Sequence, residues 1–500
     1  MTARARAINA IACVVLAIAV VLASLGTALT DVDAAGGGKR KQAGGKRGGD
    51  LAIFVLADGA DPRATAREMG VEPVHIYSHV FTGFAGDVSA VAVARSSRSS
   101  RVKAIAPDVP MEATGQVVPT GVQRIGQVNG GDQPAADQAS GAKAEKKNKK
   151  AKKAKKAKQA KKGKKNGNKK NKGNKNKGSK NKGNKGDKGP KNPGDPGDGG
   201  TNGTGSVGPG TDVAIIDSGV TASNDLNVAG GVSCRREDGP GCSGKAWNDL
   251  TGHGTHVAGT IAATDNDRGV VGIAPNARIW SVRVLGPDKN GAAVGWVSDV
   301  IAGLDWVYQN RATIDVVNMS LGGWMTKTNS QNTPYQLAIR KVANAGIPVV
   351  VAAGNTGQDV LDNGANMHFV PAAYPEAIAV SAFADSDGRS GGTGKKTCHG
   401  DQDDTFWAYS NQGSAVDIAA PGVCILSLLR DGGTIEMTGT SMAAPHVAGA
   451  LALFAADHPD ASESQARNWL LTQASVAQSH PAGFTGDHDQ YREPVLFLGS

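Results

Sequence analysis

Thr211-Asp212-Val213-Ala214-Ile215-Ile216-Asp217-Ser218-Gly219 is the stretch that decides the fold. Four apolar residues run without the alternation of a half-exposed strand and end on an acid and a glycine turn, which predicts a strand covered on both faces. Runs of the same kind return at 278–285, 315–320, 348–353 and 377–382, and helical patterns lie between them at 253–263, 293–309, 333–345 and 440–456. This alternation predicts an α/β fold, a doubly wound and mostly parallel sheet with helices on both faces. Such a sheet gathers its functional groups at the carboxyl ends of its strands, where Asp217 falls.

Working outward, residues 50–112 hold a smaller pattern: a strand at 51–57, a helix at 62–69, two strands around Gly83, a helix at 88–98 and a strand at 102–108. That β-α-β-β-α-β order predicts a ferredoxin-like α+β unit. A cysteine-free unit of this size is marginal alone, so it is expected to lean on the rest of the chain. Residues 113–141 are polar apart from a patch at 119–125, and 142–210 form a Lys/Gly-rich tract too poor in apolar side chains to order itself. The main domain is expected over 211–480, with a tail at 481–500.

The chain's net charge of +10 is concentrated in this tract: residues 143–191 hold 24 lysines against Glu145 and Asp187, leaving −12 for everything else. The folded parts are therefore acidic, and the overall basicity is no sign of a nucleic-acid-binding fold. The lysine arm either docks on an anionic surface or polyanion, with strong salt dependence, or is a solvated linker. No aromatics interleave its lysines, so base stacking is not supported.

At the N-terminus two arginines precede an uncharged run from Ala7 to Thr30, which predicts a secretory signal over 1–34, with an uncleaved membrane anchor as the alternative. Export to an oxidising compartment suits the four remaining cysteines. The pairing Cys234–Cys242 with Cys398–Cys424 is favoured because the first two share a short loop.

Three further positions complete a chemistry around Asp217. His253 sits in Gly252-His253-Gly254-Thr255-His256, with glycine on both sides at the start of an apolar helix. Its neighbour His256 is expected to be a packed structural residue; a His-x-x-His metal pair is the competing possibility, but no third ligand follows at suitable spacing. Ser441, in Gly439-Thr440-Ser441-Met442-Ala443, opens another helix among small residues, where free backbone N–H groups can meet a developing oxyanion. Asn355 ends an apolar strand through Gly354 and offers an amide donor. A serine hydroxyl needs a base to take its proton, the base needs an acid to hold its tautomer, and the oxyanion needs donors. All four roles have a candidate.

The stretches around Asp217, His253 and Ser441, in that order along the chain, resemble the catalytic motifs of the subtilases. The resemblance implies a secreted serine endopeptidase acting on protein or peptide substrates through an acyl-enzyme, with no cofactor for catalysis and a monomeric state. It implies substrate-binding roles for Ser320, Leu321, Gly322, Ala353 and Gly354, and an oxyanion role for Asn355. Residues 50–112 are then an inhibitory propeptide, cut off autocatalytically between about 112 and 116. Glycine-lined walls suggest a roomy first-residue pocket, broad specificity and a preference for large apolar side chains. Structural calcium is the family's usual stabiliser, here with Asp225 and Asn266 as candidate ligands beside an acidic loop at 265–269. A catalytically silent binding protein presenting the lysine arm is the rival from another class.

Overall fold

The computed structural model describes residues 51–114, 210–244, 247–389, 391–479, 484–496 and 498, with 475–479 as backbone only. The expected signal and nearly all of the lysine tract lie outside these residues, as does the patch at 119–125. Among the described residues no helix is long and apolar enough to cross a membrane.

The N-terminal unit is an antiparallel four-stranded sheet in the order β2-β3-β1-β4, built from β1 (Leu51–Leu56), β2 (Pro73–Tyr77), β3 (Gly83–Asp87) and β4 (Val102–Pro107). Its helix Pro62–Met69 begins where Asp61 accepts from the N–H groups of Arg63 and Ala64, with proline at the first turn, and ends on Gly70 in the left-handed conformation. Alternate residues of β1 serve two cores. Ala52, Phe54 and Leu56 pack under the unit's own helices, and Ile53 points with Tyr77, Val80 and Ala85 into the core of the main domain. A unit too small to bury enough surface by itself thus shares a core with its neighbour.

From this unit the chain runs on as β5 (Pro110–Ala113), which leaves the small sheet altogether. The main domain follows with β6 (Asp212–Asp217), β7 (Val228–Ser233), β8 (Arg278–Arg283), β9 (Gly286–Pro287), β10 (Ala293–Trp296), β11 (Val316–Met319), β12 (Leu321–Thr326), β13 (Val349–Ala352), β14 (Met367–Val370) and β15 (Ile378–Ala384). It ends with β16 (Thr405–Phe406), β17 (Ile418–Pro421) and the hairpin of β18 (Ile425–Leu428) and β19 (Thr434–Met437). Among the described residues the central sheet runs β16-β15-β13-β11-β6-β8-β7, with β17 also on β15; all its pairs are parallel except β15 with β16.

The unbroken apolar character of β6 has a direct physical cause. Val213 and Ile215 pack with the helices His253–Ala262 and Thr440–Asp457, whereas Ala214 and Ile216 pack with Val297–Gln309 and Pro334–Ala343 on the opposite face. Each central strand is covered twice, as the run of apolar residues requires.

One expected helix is shortened. Residues 293–296 form β10 rather than the first turn of a helix, because Val294, Gly295 and Trp296 pair with Glu112, Met111 and Pro110 of β5. The helix starts at Val297, where the carboxylate of Asp108 accepts from Ser298 N at 2.8 Å, so an N-terminal unit residue caps a main-domain helix. Tertiary pairing overrides the local preference here.

Candidate active site

Asp217 is the last residue of β6 and its carboxylate is fully buried. It accepts from Ser218 N at 2.6 Å, and its two oxygens lie 2.8 and 2.9 Å from Nδ1 of His253. His253 opens the helix His253–Ala262, and only glycine after it lets that helix approach: a Cβ on Gly254 would stand 2.1 Å from the Gly219 carbonyl oxygen. Burial by itself lowers the basicity of the His253 imidazole, but the Asp217 carboxylate, through charge and hydrogen bond, and Asp249 more than offset this, and the pKa is raised above the ordinary value.

Asp249 is the residue that sequence reasoning missed. Its buried carboxylate accepts from the N–H groups of Thr251, Gly252 and Thr255 and from the hydroxyls of Thr255 and Ser218, and Ser218 Oγ in turn accepts from Gly254 N. The loop that presents the imidazole is therefore locked by one acid. The signal was present: an aspartate two to six residues before a run of small polar residues is how a chain ties down its own N–H groups.

His256 is not a metal ligand in this arrangement. Its Nε2 is 2.9 and 3.1 Å from the carbonyl oxygens of Ile425 and Ile435, which fastens the helix to the β18–β19 hairpin, and burial pushes its pKa down to about 4. His446, likewise buried, is pushed down to about 4.

Ser441 is the second residue of the helix Thr440–Asp457 and is fully buried. The cap residue Gly439 has φ 152° and no side-chain cap closes the first turn. Asn355 is oriented by Thr440, whose N and Oγ1 both donate to Asn355 Oδ1 at 2.9 Å, which leaves Nδ2 as the outward donor. Gly354 N donates to Thr440 Oγ1, so the strand end at Ala353-Gly354-Asn355 and the serine helix are stitched together by one threonine.

The cleft is filled by the chain's own β5. This strand lies antiparallel between β12 and β10, with Ala113 opposite Leu321 and Glu112 opposite Gly322. Thr114 N donates to the Ser320 carbonyl at 3.3 Å, and Thr114 Oγ1 lies 2.6 Å from Ser441 Oγ. Ser441 Oγ donates to the Ser320 carbonyl at 2.9 Å, while Nε2 of His253 is buried without a partner. The serine hydroxyl is thus engaged by Ser320 O and Thr114 rather than by the imidazole. Ser320 Oγ donates to the Ser441 carbonyl, fixing the two edges of the site to each other.

Two of the glycines expected to line the first-residue pocket lie against Phe369. A Cβ on Gly322 would stand 2.4 Å from the ring of Phe369, and one on Gly354 would stand 2.8 Å from it. Asn411 Nδ2 also crowds the Gly354 position, at 2.3 Å.

Cys234 is bonded to Cys242 and Cys398 to Cys424. The two calcium candidates lie side by side: Asn266 Nδ2 donates to Asp225 Oδ1 at 2.7 Å, and Asn266 Oδ1 accepts from Arg268 N.

A buried acid, an imidazole and a helix-borne serine at the end of a parallel sheet, beside a peptide paired as an extra strand, define an α/β serine peptidase. Residues 208–491 match the subtilase family, and the chain belongs to that family of serine-type endopeptidases. It is 38% identical to Subtilisin DY of Bacillus licheniformis over 54% of this chain and 85% of that protein. It is 39% identical to Subtilisin E of Bacillus subtilis (strain 168) over 54% of this chain and 61% of that one. A solved cold-adapted subtilisin-like serine proteinase is 32% identical, covering 59% of this chain and 92% of that chain, with a TM-score of 0.46.

Proposed function

We propose that this subtilase is exported as a zymogen and that it cuts its own chain after Thr114, in an acyl transfer carried by Ser441, His253 and Asp217. The observation that supports this most directly is the placement of Thr114, whose N–H and hydroxyl reach Ser320 O and Ser441 Oγ as a cleaved or cleavable strand end would. In the reaction His253 Nε2 takes the Ser441 proton as Oγ attacks the scissile carbonyl. Asp217 holds the proton on Nδ1 and stabilises the imidazolium, and the proton then passes to the leaving amine. Asn355 Nδ2 and the N–H of Ser441 stabilise the oxyanion, and water repeats the sequence on the acyl-enzyme.

Residues 50–112, with β5 extending to 113, act as the inhibitor until a second cut or dissociation frees the cleft. The uncharged N-terminal run and the disulfides suit an extracellular life, where the lysine tract would hold the enzyme to an anionic surface. Wild type and Ser441→Ala are to be expressed separately, followed by chain size and casein hydrolysis, and the new N-terminus read. Cleavage after Thr114 with activity in wild type alone is expected. Maturation of Ser441→Ala in isolation overturns the assignment. An inactive, uncut wild type that binds polyanions returns the binding-protein alternative.

A further inference from the structure

Phe369 lies on β14, opposite Trp324 of β12, and is nearly fully buried. The two rings meet edge to face, with centroids 5.2 Å apart, so the phenyl is braced from behind. Its Cε1 and Cζ edge stands 2.4 and 2.6 Å from a Cβ on Gly322, and 2.8 and 2.9 Å from a Cβ on Gly354, which Asn411 Nδ2 also crowds at 2.3 Å. These two glycines belong to the two segments that border the reacting bond. Gly322 of β12 pairs with Glu112 of β5, and Gly354 N donates to Oγ1 of Thr440, the residue before Ser441. Between them arrives Thr114, the residue that would form the acyl half of the cut bond.

We infer that Phe369 sets the specificity of this peptidase by flooring the pocket for the acyl-side residue, so that alanine, serine and threonine fit and large aromatic residues do not. Gly322 is then glycine because a protein phenyl ring takes the place of its Cβ, whereas Gly354 is glycine also because its φ is 105°. A close-packed wall accepts no extra atoms without displacing the ring, and Trp324 opposes that displacement. The chain's own occupant agrees, since Thr114 is small and β-branched. This deepens the peptidase assignment above and depends on it.

The test uses the mature enzyme and tetrapeptide p-nitroanilides ending in Ala, Thr, Leu or Phe, with labelling of Ser441 by a fluorophosphonate as a separate readout. Wild type is expected to favour Ala and Thr over Phe by at least about tenfold in kcat/KM, the scale on which pocket size discriminates. Phe369→Ala should lower that preference by about tenfold or more, chiefly by raising turnover of the Phe substrate, and Phe369→Leu should fall between. Fluorophosphonate labelling at the wild-type rate shows that each variant is folded; if Phe369→Ala does not label, Phe369→Leu carries the comparison. Wild type that labels but prefers Phe, or a variant series with an unchanged Ala-to-Phe ratio, overturns the role of Phe369 while leaving the peptidase assignment standing. Failure of wild type both to label and to cleave removes the assignment itself, and the pocket inference with it.

Discussion

Arg236 offers the sharpest perturbation of the contact between the N-terminal unit and the main domain. Its Nη2 lies 2.5 Å from Asp108 Oδ2 and 2.6 Å from Ser298 Oγ, its Nε lies 3.3 Å from Asp299 Oδ1, and its guanidinium sits 4.9 Å from the centre of the Trp296 ring. Asp108 belongs to the proposed inhibitor and is fully buried in the contact; Asp299, also buried, takes a further bond from His75 Nε2 of the same inhibitor at 2.7 Å. Removing the one guanidinium leaves two buried carboxylates facing each other in the complex, whereas in the free enzyme Asp108 is gone and water reaches Asp299. Loss of one partner of a buried, hydrogen-bonded charge pair at an interface costs about 2–5 kcal/mol. At about 1.4 kcal/mol per factor of ten, inhibition of Arg236→Ala by residues 51–114 should weaken by about 30-fold to several thousand-fold, with kcat/KM on a small substrate little changed.

The pH dependence has a definite sign. Burial raises the pKa of Asp108 in the complex, with Arg236 working against that rise, so the complex already favours the protonated acid over the free state. Without Arg236 the preference grows, and the deficit in affinity should shrink as the pH is lowered. The assay is inhibition of mature wild type and Arg236→Ala by added wild-type or Asp108→Asn inhibitor, completing a double-mutant cycle. An inhibition constant within threefold of wild type at neutral pH, or a cycle with no coupling between the two positions, refutes the network as a determinant of inhibition.

Three further outcomes follow from the same geometry. Because Asp217 and Asp249 raise the His253 pKa and the neutral imidazole is the base, kcat/KM of the mature enzyme should rise with pH through an ionisation above the ordinary histidine value, and Asp249→Asn should move that limb to lower pH; a limb at or below the ordinary value contradicts it. Asn355→Ala should lower kcat by about 10²–10³-fold with little change in KM, a range that comes from the corresponding donor of subtilisin itself; a loss confined to KM would remove Asn355 from the oxyanion site. Glu493 is pushed up to about 8, first by burial and then by Asp487 and Asp489, so the folded state holds its proton more tightly than the unfolded chain, and the stability this gives below about pH 4.5 fades as the pH rises toward 8. Glu493→Gln should therefore raise Tm relative to wild type at pH 9 and not at pH 4, read by a thermal scan at both; equal Tm differences at the two values would show that the carboxyl does not titrate there.

The parallel sheet and the order of chemistry along it were legible before any coordinates, because local constraints write them directly. A strand buried on both faces must be apolar throughout, as at 213–216, and an acid that must meet an imidazole sits at the strand's end, as Asp217 does. The small residues around His253 and Ser441 mark places where backbone must come close, and a Cβ on Gly254 would indeed collide with Gly219. The cysteine pairing was legible from loop length.

Other features belong to no single segment. Residues 110–113 and 293–296 are strands only because they find each other, and neither carries a decisive pattern alone. Asp249 becomes a part of the site through donors gathered from a folded loop, and Asp108 becomes a helix cap for residues far along the chain. The pocket shows the difference most clearly. By composition Gly322 and Gly354 mean open space, but volume is a property of everything that enters a region, and Phe369 arrives there from a strand paired through Trp324. The fold class, and the order of Asp217, His253 and Ser441 along it, could be read from local period and residue type alone. What occupies the cleft, and that Phe369 stands beside its glycines, became visible with the fold, since both depend on which distant atoms fill the space between two backbones.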